Sequence, residues 1–328
     1  MVIRPSVLSA VDFSESSRGA LRFAAAIAEH FYAGLTVVSV DDPLLSGAAG
    51  MVYGETAAAM AQQELEQFVK DTFRRRRPIL AELQFEIAIG KPAIEIQRIA
   101  QARGSHLIVM SSHGRTGMSK LFFGSTTERV LRETNVPVLV TPADDPGPED
   151  LEDLRRGING VLAPVDFTNA SPHQIRIAAG VANALSTPLV LVHVLEPLWI
   201  YRGLEAVSKD LHDKRRSRAT DALAALLPSD LSPHPPEAVL LEGDPASEIA
   251  RLARDRNIGA IVMGLHSTSV LGPRMGSVTY RVLCQTQTPV LALPPVEAEV
   301  RERKFESEPA NAAVSAGRRR PAWEPAIA

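Results

Sequence analysis

Cysteine is nearly absent from this chain. The single thiol, Cys284, excludes an internal disulfide and a cysteine-rich metal site. It stands near a helix end, where the first half of the chain has Arg132, and reads as a tolerated residue rather than a nucleophile. No run approaches the ~20 apolar residues of a membrane span, so no membrane is expected as a partner. Strong charge of either sign is missing too. The formal net charge is −3, which gives no global cationic field of the kind that draws nucleic acid. Arg74 to Arg77 form a basic run that reads as the solvated end of a helix before Pro78. The opening Met1-Val2-Ile3-Arg4-Pro5 leads straight into an apolar strand and not into a signal peptide, so a cytoplasmic protein is expected.

What the sequence does contain, it contains twice. Val7-Leu8-Ser9-Ala10-Val11-Asp12-Phe13 returns as Val161-Leu162-Ala163-Pro164-Val165-Asp166-Phe167. Gly90-Lys91-Pro92-Ala93 returns as Gly243-Asp244-Pro245-Ala246, and Gly124-Ser125 as Gly276-Ser277. Val136-Pro137-Val138-Leu139 is matched by Thr288-Pro289-Val290-Leu291. The order of landmarks is kept while the offset drifts from 154 to 152 positions, which marks a tandem duplication with small loop changes. Each copy, at about 145 residues, is large enough to bury its own core.

Within each copy, short apolar strands alternate with amphipathic helices. This predicts two tandem doubly wound α/β domains, each a five-stranded parallel sheet of Rossmann-like or flavodoxin-like type with helices on both faces. The expected boundaries are 1–141 for the first domain, 142–156 for an acidic, proline-containing linker and 157–296 for the second. Residues 297–328 read as a disordered tail, because they carry no sustained apolar period. Asp41 to Gly54 reads as a loop rich in glycine, aspartate and alanine. Each copy ends in an apolar strand that would be an exposed sheet edge alone, so the two copies are expected to pair those edges as a pseudo-dimer.

In doubly wound sheets, ligands bind beyond the carboxyl ends of the strands, where the winding reverses. Asp12 ends the first strand of copy one. Ser111-Ser112-His113-Gly114-Arg115-Thr116-Gly117 follows the fourth strand and runs on to Gly124-Ser125-Thr126, which opens a helix. Backbone N–H groups in such a loop, with a helix N-terminus beyond, suit a phosphate chain. Glycines after strands are also plain turn residues, and Gly-Ser at a helix start is also a cap. The loop is not a Walker A loop, since no Gly-Lys-Ser/Thr ends it, and no Gly-x-Gly-x-x-Gly follows the first strand. Neither His113 nor His266 has a second His or Cys at ligand spacing, so no metal site is expected. Neither Asp12 nor Asp166 has a paired carboxylate or His nearby in sequence, which favours a binding role over that of a general base.

At these residues the chain resembles the universal stress protein family, across both copies. Members of that family that bind ATP carry Gly-x2-Gly-x9-Gly-Ser/Thr. Here Ser111 stands at the first glycine, Gly114 at the second, and nine residues separate it from Gly124-Ser125. The resemblance implies that Ala10, Val11, Asp12 and Val40 hold adenine and ribose and that Met110 lines the base pocket. It further implies that Ser111, Gly114, Arg115, Gly117, Gly124, Ser125 and Thr126 hold the phosphates of ATP, with or without Mg2+. In copy two the corresponding, weaker set is Pro164, Val165, Asp166, Val194, Met263, Gly264, Gly276, Ser277 and Val278. There Ser267 replaces the second glycine, the spacing loses one residue, and Pro273 brings a position with no N–H.

The expected function is therefore an adenine-nucleotide-responsive stress or regulatory protein that binds mainly in domain 1, with weak ATPase activity at most. The alternative is an interaction module that kept the fold and lost the nucleotide. A true nucleotide hydrolase is disfavoured, because no strong base, nucleophile or metal cluster is evident. Protein clients and a homodimer of the tandem chain are the further partners left open.

Overall fold

The computed structural model describes residues 5–54, 56–114, 123–197, 205–228, 234–265 and 276–295. Copy one runs β1 (Ser6–Ala10), α1 (Glu15–His30), β2 (Gly34–Asp41), α2 (Pro43–Tyr53), α3 (Thr56–Thr72), β3 (Glu82–Ile89), α4 (Pro92–Ala102), β4 (Leu107–Ser111), α5 (Ser125–Glu133) and β5 (Val138–Thr141). A short helix, α6 (Leu151–Gly157), leads into copy two. Copy two runs β6 (Val161–Pro164), α7 (Ser171–Leu185), β7 (Leu189–Leu195), α8 (Glu205–Ala225), β8 (Glu237–Glu242), α9 (Pro245–Asp255), β9 (Ala260–Gly264), α10 (Ser277–Gln285) and β10 (Val290–Leu293).

All ten strands join one sheet in the order β3-β2-β1-β4-β5-β10-β9-β6-β7-β8. Each half is parallel and winds outward both ways from its first strand, which is the Rossmann order rather than the flavodoxin order. The halves meet where β5 and β10 pair antiparallel, Leu139 opposite Leu291. Each would-be edge thus satisfies the backbone groups of the other. One core continues across this junction: Val138, Val140, Val290 and Ala292 share a buried cluster with α4, α5, α9 and α10, and Phe123 meets Tyr280 edge-on at 6.1 Å. The opposite face carries two separate clusters, one under α1 and α3 and one under α7 and α8. Because the junction is antiparallel, the carboxyl ends of the two half-sheets lie at opposite margins of the ten-stranded sheet.

Two segments differ from the expected organisation. The stretch read as a loop contains α2. The Asp42 carboxylate accepts the Leu44 N–H at 2.8 Å and Pro43 occupies the first turn, so a cap and a pre-set φ start a helix despite Gly47 and Gly50. The linker is likewise not a bare tether. Asp150 caps α6 and Leu154 is buried among the residues under α1. The linker backbone also lies against α1: a Cβ on Gly19 would run into the Asp145 carbonyl, and one on Gly147 into the Gly19 carbonyl.

The basic run after α3 is exposed at all four positions, as expected of a solvated helix end, and two of its side chains make ion pairs at the surface with carboxylates outside α3. Arg75 pairs with the linker carboxylate Glu149 at 2.6 Å, and Arg76 pairs with Glu29 at 2.9 Å. Residues of the expected tail, 297–328, lie outside the described residues.

Candidate functional site

In copy one the winding reverses between β1 and β4, so the crevice opens beyond Ala10 and Ser111. Val11 extends the ladder by one bond, its N–H donating to the Val38 carbonyl at 2.9 Å. The chain then turns sharply. Phe13 takes φ 63°, a left-handed conformation rare for an aromatic residue. Its counterpart Phe167 takes φ 60°. Strain repeated at the same step of both copies, next to a carboxylate, is the kind that surrounding packing must hold in place. Phe13 is held edge-on by Phe68, with ring centroids 5.4 Å apart.

The turn fixes Asp12. Its Oδ1 accepts the Ser14 N–H at 3.2 Å and the Ser14 hydroxyl at 2.5 Å, while Ser14 itself caps α1 through the Ser17 N–H. Asp12 thereby stands as a positioned carboxylate at the end of the central strand. Gly114 comes up against it: a Cβ there would collide with Asp12 Oδ2 and sit 3.4 Å from Asp12 Cγ. A side chain at the second glycine of the motif would meet the Asp12 carboxylate where it stands, so either the loop or that carboxylate would have to shift.

The two described ends of the loop are pinned to the strands and to each other by backbone bonds. Ser112 donates its N–H to the Thr141 carbonyl at 2.8 Å, and Gly124 donates to the Ser112 carbonyl at 2.9 Å. A Cβ on Gly124 would lie 3.0 Å from that same carbonyl oxygen. The Ser111 hydroxyl donates to the His113 carbonyl at 2.6 Å, which is how serine serves at the first position of the motif. Thr127, from the first turn of α5, donates its hydroxyl to the Ser111 carbonyl at 2.9 Å. Gly124 is the N-cap of α5, and no side chain caps the helix. The first-turn N–H groups of Ser125 and Thr126 have no partner among the described residues and form a positive helix end at the crevice. His113 sets its Nδ1 3.1 Å from the Ser112 hydroxyl and keeps a buried Nε2 that has no partner among the described residues.

On the sheet face under α4 and α5, Ala10 and Val40 pack against the cluster that contains Met110, forming an apolar ledge beside Asp12. Val11 is buried on the other face, so only its backbone borders the crevice. The structure therefore brings together Ala10, Asp12, Val40, Met110, Ser111, Gly114, Gly124, Ser125 and Thr126. Arg115 and Gly117 lie outside the described residues. An apolar ledge, a carboxylate acceptor, a close glycine approach and a helix end without a side-chain cap follow one another along the crevice. No group of three His, Cys, Asp or Glu side chains that could hold a metal ion occurs among the described residues. A cavity of about 470 Å³ lies elsewhere, between the linker and the segments that lead into β9 and β10.

Copy two keeps part of this frame. Asp166 Oδ1 accepts from Thr168 N–H, the Thr168 hydroxyl and the Ser171 hydroxyl at 3.0, 2.7 and 3.1 Å. Thr279 repeats the Thr127 contact, donating to the Gly264 carbonyl at 3.0 Å, and Gly276 is again an N-cap. Val194 and Met263 belong to the shared cluster and Val278 packs against it, whereas Val165 faces the opposite side.

The crevice itself differs. Gln174, buried where copy one has Ala20, donates Nε2 N–H groups to the Pro164 carbonyl at 2.6 Å and the Val262 carbonyl at 2.9 Å. The β6–β9 ladder holds two residue pairs where β1–β4 holds three, and the glutamine stitches the split. At the start of α9, Asp244 pairs with Arg281 at 2.6 Å; this bond and those from Ser247 hold its carboxyl at about 2. Copy one has Lys91 there, with no side-chain cap. His266, Ser267 and Pro273 lie outside the described residues.

Sequence reasoning missed Thr127, Thr279 and Gln174. The two threonines were detectable, since they recur at the same offset as the Gly-Ser pairs. Gln174 was not, because nothing in its spacing announces a buried bridge.

Comparison with known proteins agrees with this tandem fold. The universal stress protein family matches residues 4–142 and again 158–294. Universal stress protein MJ0577 of Methanocaldococcus jannaschii is 29% identical over 154 residues, which cover 42% of this chain and 95% of that one. A universal stress protein of Mycolicibacterium smegmatis is 23% identical over 296 residues, 88% of this chain and 97% of its own. Among solved structures, a putative universal stress protein of Pseudomonas aeruginosa superposes with a TM-score of 0.61 at 18% identity, over 93% of this chain and 98% of that one. With both halves matched in sequence and the tandem fold matched in structure, the chain belongs to the universal stress protein family.

Proposed function

We propose that this protein binds an adenine nucleotide, ATP in the first instance, chiefly in its first domain, and that occupancy of the site sets its stress or regulatory role. The domains are taken as 1–141 and 157–296. One observation carries the reading: the Gly114 backbone lies directly on the Asp12 carboxylate, so the group suited to ribose hydroxyls and the loop suited to phosphates border one crevice. In this reading Asp12 accepts from the ribose, while Ala10, Val40 and Met110 receive the base. Ser111, Gly114, Gly124, Ser125 and Thr126 surround the phosphates, with Arg115 and Gly117 on the intervening loop. Backbone donors aimed at an anion cost no reorganisation on binding, which makes such a cradle effective. Mg2+ would be carried by the nucleotide itself.

Hydrolysis, where it occurs, is slow. The polar groups gathered here position a ligand rather than activate a water, so turnover falls far below the ~10 per second of ordinary enzymes. The test is mass spectrometry of small molecules released from the purified protein by denaturation, followed by titration calorimetry of the stripped protein with ATP. Release of ATP or AMP, or a tight calorimetric event, supports the proposal. A clean protein that also gives no heat with ATP overturns it in favour of a nucleotide-independent interaction module.

A further inference from the structure

Helix α2 inverts the usual logic of an amphipathic helix. Leu44, Leu45, Ala48, Met51 and Val52 fall at i, i+1, i+4, i+7 and i+8, the spacing of a single apolar stripe. Such a stripe ordinarily faces a core. Here it faces away from one: no residue of α2 is buried, and Leu44, Leu45, Met51 and Val52 are 84, 72, 91 and 72% exposed. Of the two partly covered residues, Ser46 lies on the other side of the helix and Ala49 flanks the stripe one turn from Leu45. Met60, near the start of α3, adds a further exposed apolar side chain, 49% accessible.

We infer that this stripe is a self-association surface, seated against the same stripe of a second copy of the chain. Charge decides the occupant. Residues 43–54 carry no charge, so a twofold axis brings no like charges together. A membrane surface is disfavoured by the same stretch, which has no Lys or Arg to meet headgroups and is preceded by Asp41 and Asp42. Size sets the strength. The stripe presents on the order of 500 Å² of apolar surface, so an isologous pair buries about 1,000 Å², the lower bound of a specific interface. The dimer is therefore weak, with dissociation in the micromolar range. This inference stands independently of the nucleotide reading.

The test is sedimentation velocity on the full chain from about 1 to about 200 μM, a range that brackets a micromolar constant. The wild type is expected to move from monomer to dimer across it. The double variant Leu44→Glu/Met51→Glu is expected to stay monomeric, with circular dichroism unchanged because neither side chain is buried. In a second measurement, Met51→Cys is expected to form an intermolecular disulfide under mild oxidation at high concentration and to lose it on dilution before oxidation. A wild type that stays monomeric throughout, with or without binding to phosphatidylglycerol vesicles, overturns the proposal. So does a dimer that survives the double substitution.

Discussion

Gly114 and Asp12 share one volume, and that gives the site its sharpest test. A methyl group on Gly114 cannot coexist with the Asp12 carboxylate where it stands, so Gly114→Ala must displace either the loop or the carboxylate. We expect this substitution to lower ATP affinity at least tenfold, with a melting temperature close to that of the wild type, because Gly114 is exposed. Asp12→Ala should also weaken binding, by losing the acceptor for the ribose. The double variant should be less impaired than the sum of the two, since removing the carboxylate makes room for the methyl group. Calorimetric titration of the four proteins closes this cycle, and strict additivity would show that the two residues do not meet at the ligand. The motif residues are legible in the amino-acid sequence, because a glycine demanded by crowding looks the same there as one demanded by a turn. What crowds Gly114 is not legible. The same holds for Phe13 and Phe167: the Asp-Phe step is visible in both copies, but its left-handed backbone is a product of packing.

At the scale of elements, strands could be read from their apolar runs, and α1, α4 and α5 from capping residues, proline in the first turn and apolar period. Helix α2 escaped for two reasons. Its glycines lower helix propensity, and its apolar stripe has no core partner to make it look structural. The linker escaped because proline and acidic residues are equally at home in a tether. Its hold on α1 depends on backbone contacts that sequence does not display, and it comes with a cost. Asp145 is half-buried, its Oδ1 accepts the Gly147 N–H, and burial raises its carboxyl above the ordinary 3.8, with Asp153 adding like-charge repulsion. A carboxyl raised on folding favours the native state while protonated, below 3.8, and works against it as pH rises through the folded value. Asp145→Asn keeps the acceptor oxygen and removes the charge. We expect the variant to melt higher than wild type at pH 7 and to lose that advantage at about pH 3.5, below the ordinary carboxyl value. Thermal melts at the two pH values measure it, and an advantage equal at both would show that charge is not the cause.

Across the whole molecule, the antiparallel β5–β10 seam points the carboxyl ends of the two half-sheets, and the crevices beyond them, to opposite margins. Each site must therefore stand on its own loop, and the two loops are not equal. The first keeps Gly114, the nine-residue spacing and Gly124-Ser125. The second has Ser267, one residue fewer and Pro273, and its crevice is bridged by Gln174 across the Pro164 and Val262 carbonyls. Pro273 offers no N–H, so that loop has fewer backbone donors to give a ligand. Losing two or three charge-assisted hydrogen bonds at ~1.5–3 kcal/mol each weakens binding by orders of magnitude. We expect calorimetry of the wild type to show one tight ATP event. Gly124→Val should remove it, because a side chain at that position meets the Ser112 carbonyl, and Gly276→Val should leave it intact. Gln174→Ala, which matches the alanine of copy one, should not restore a second tight event, because the loop defects remain. Two equal events in the wild type, or loss of the tight event with Gly276→Val, would show that loop length and glycine placement do not govern affinity in this chain.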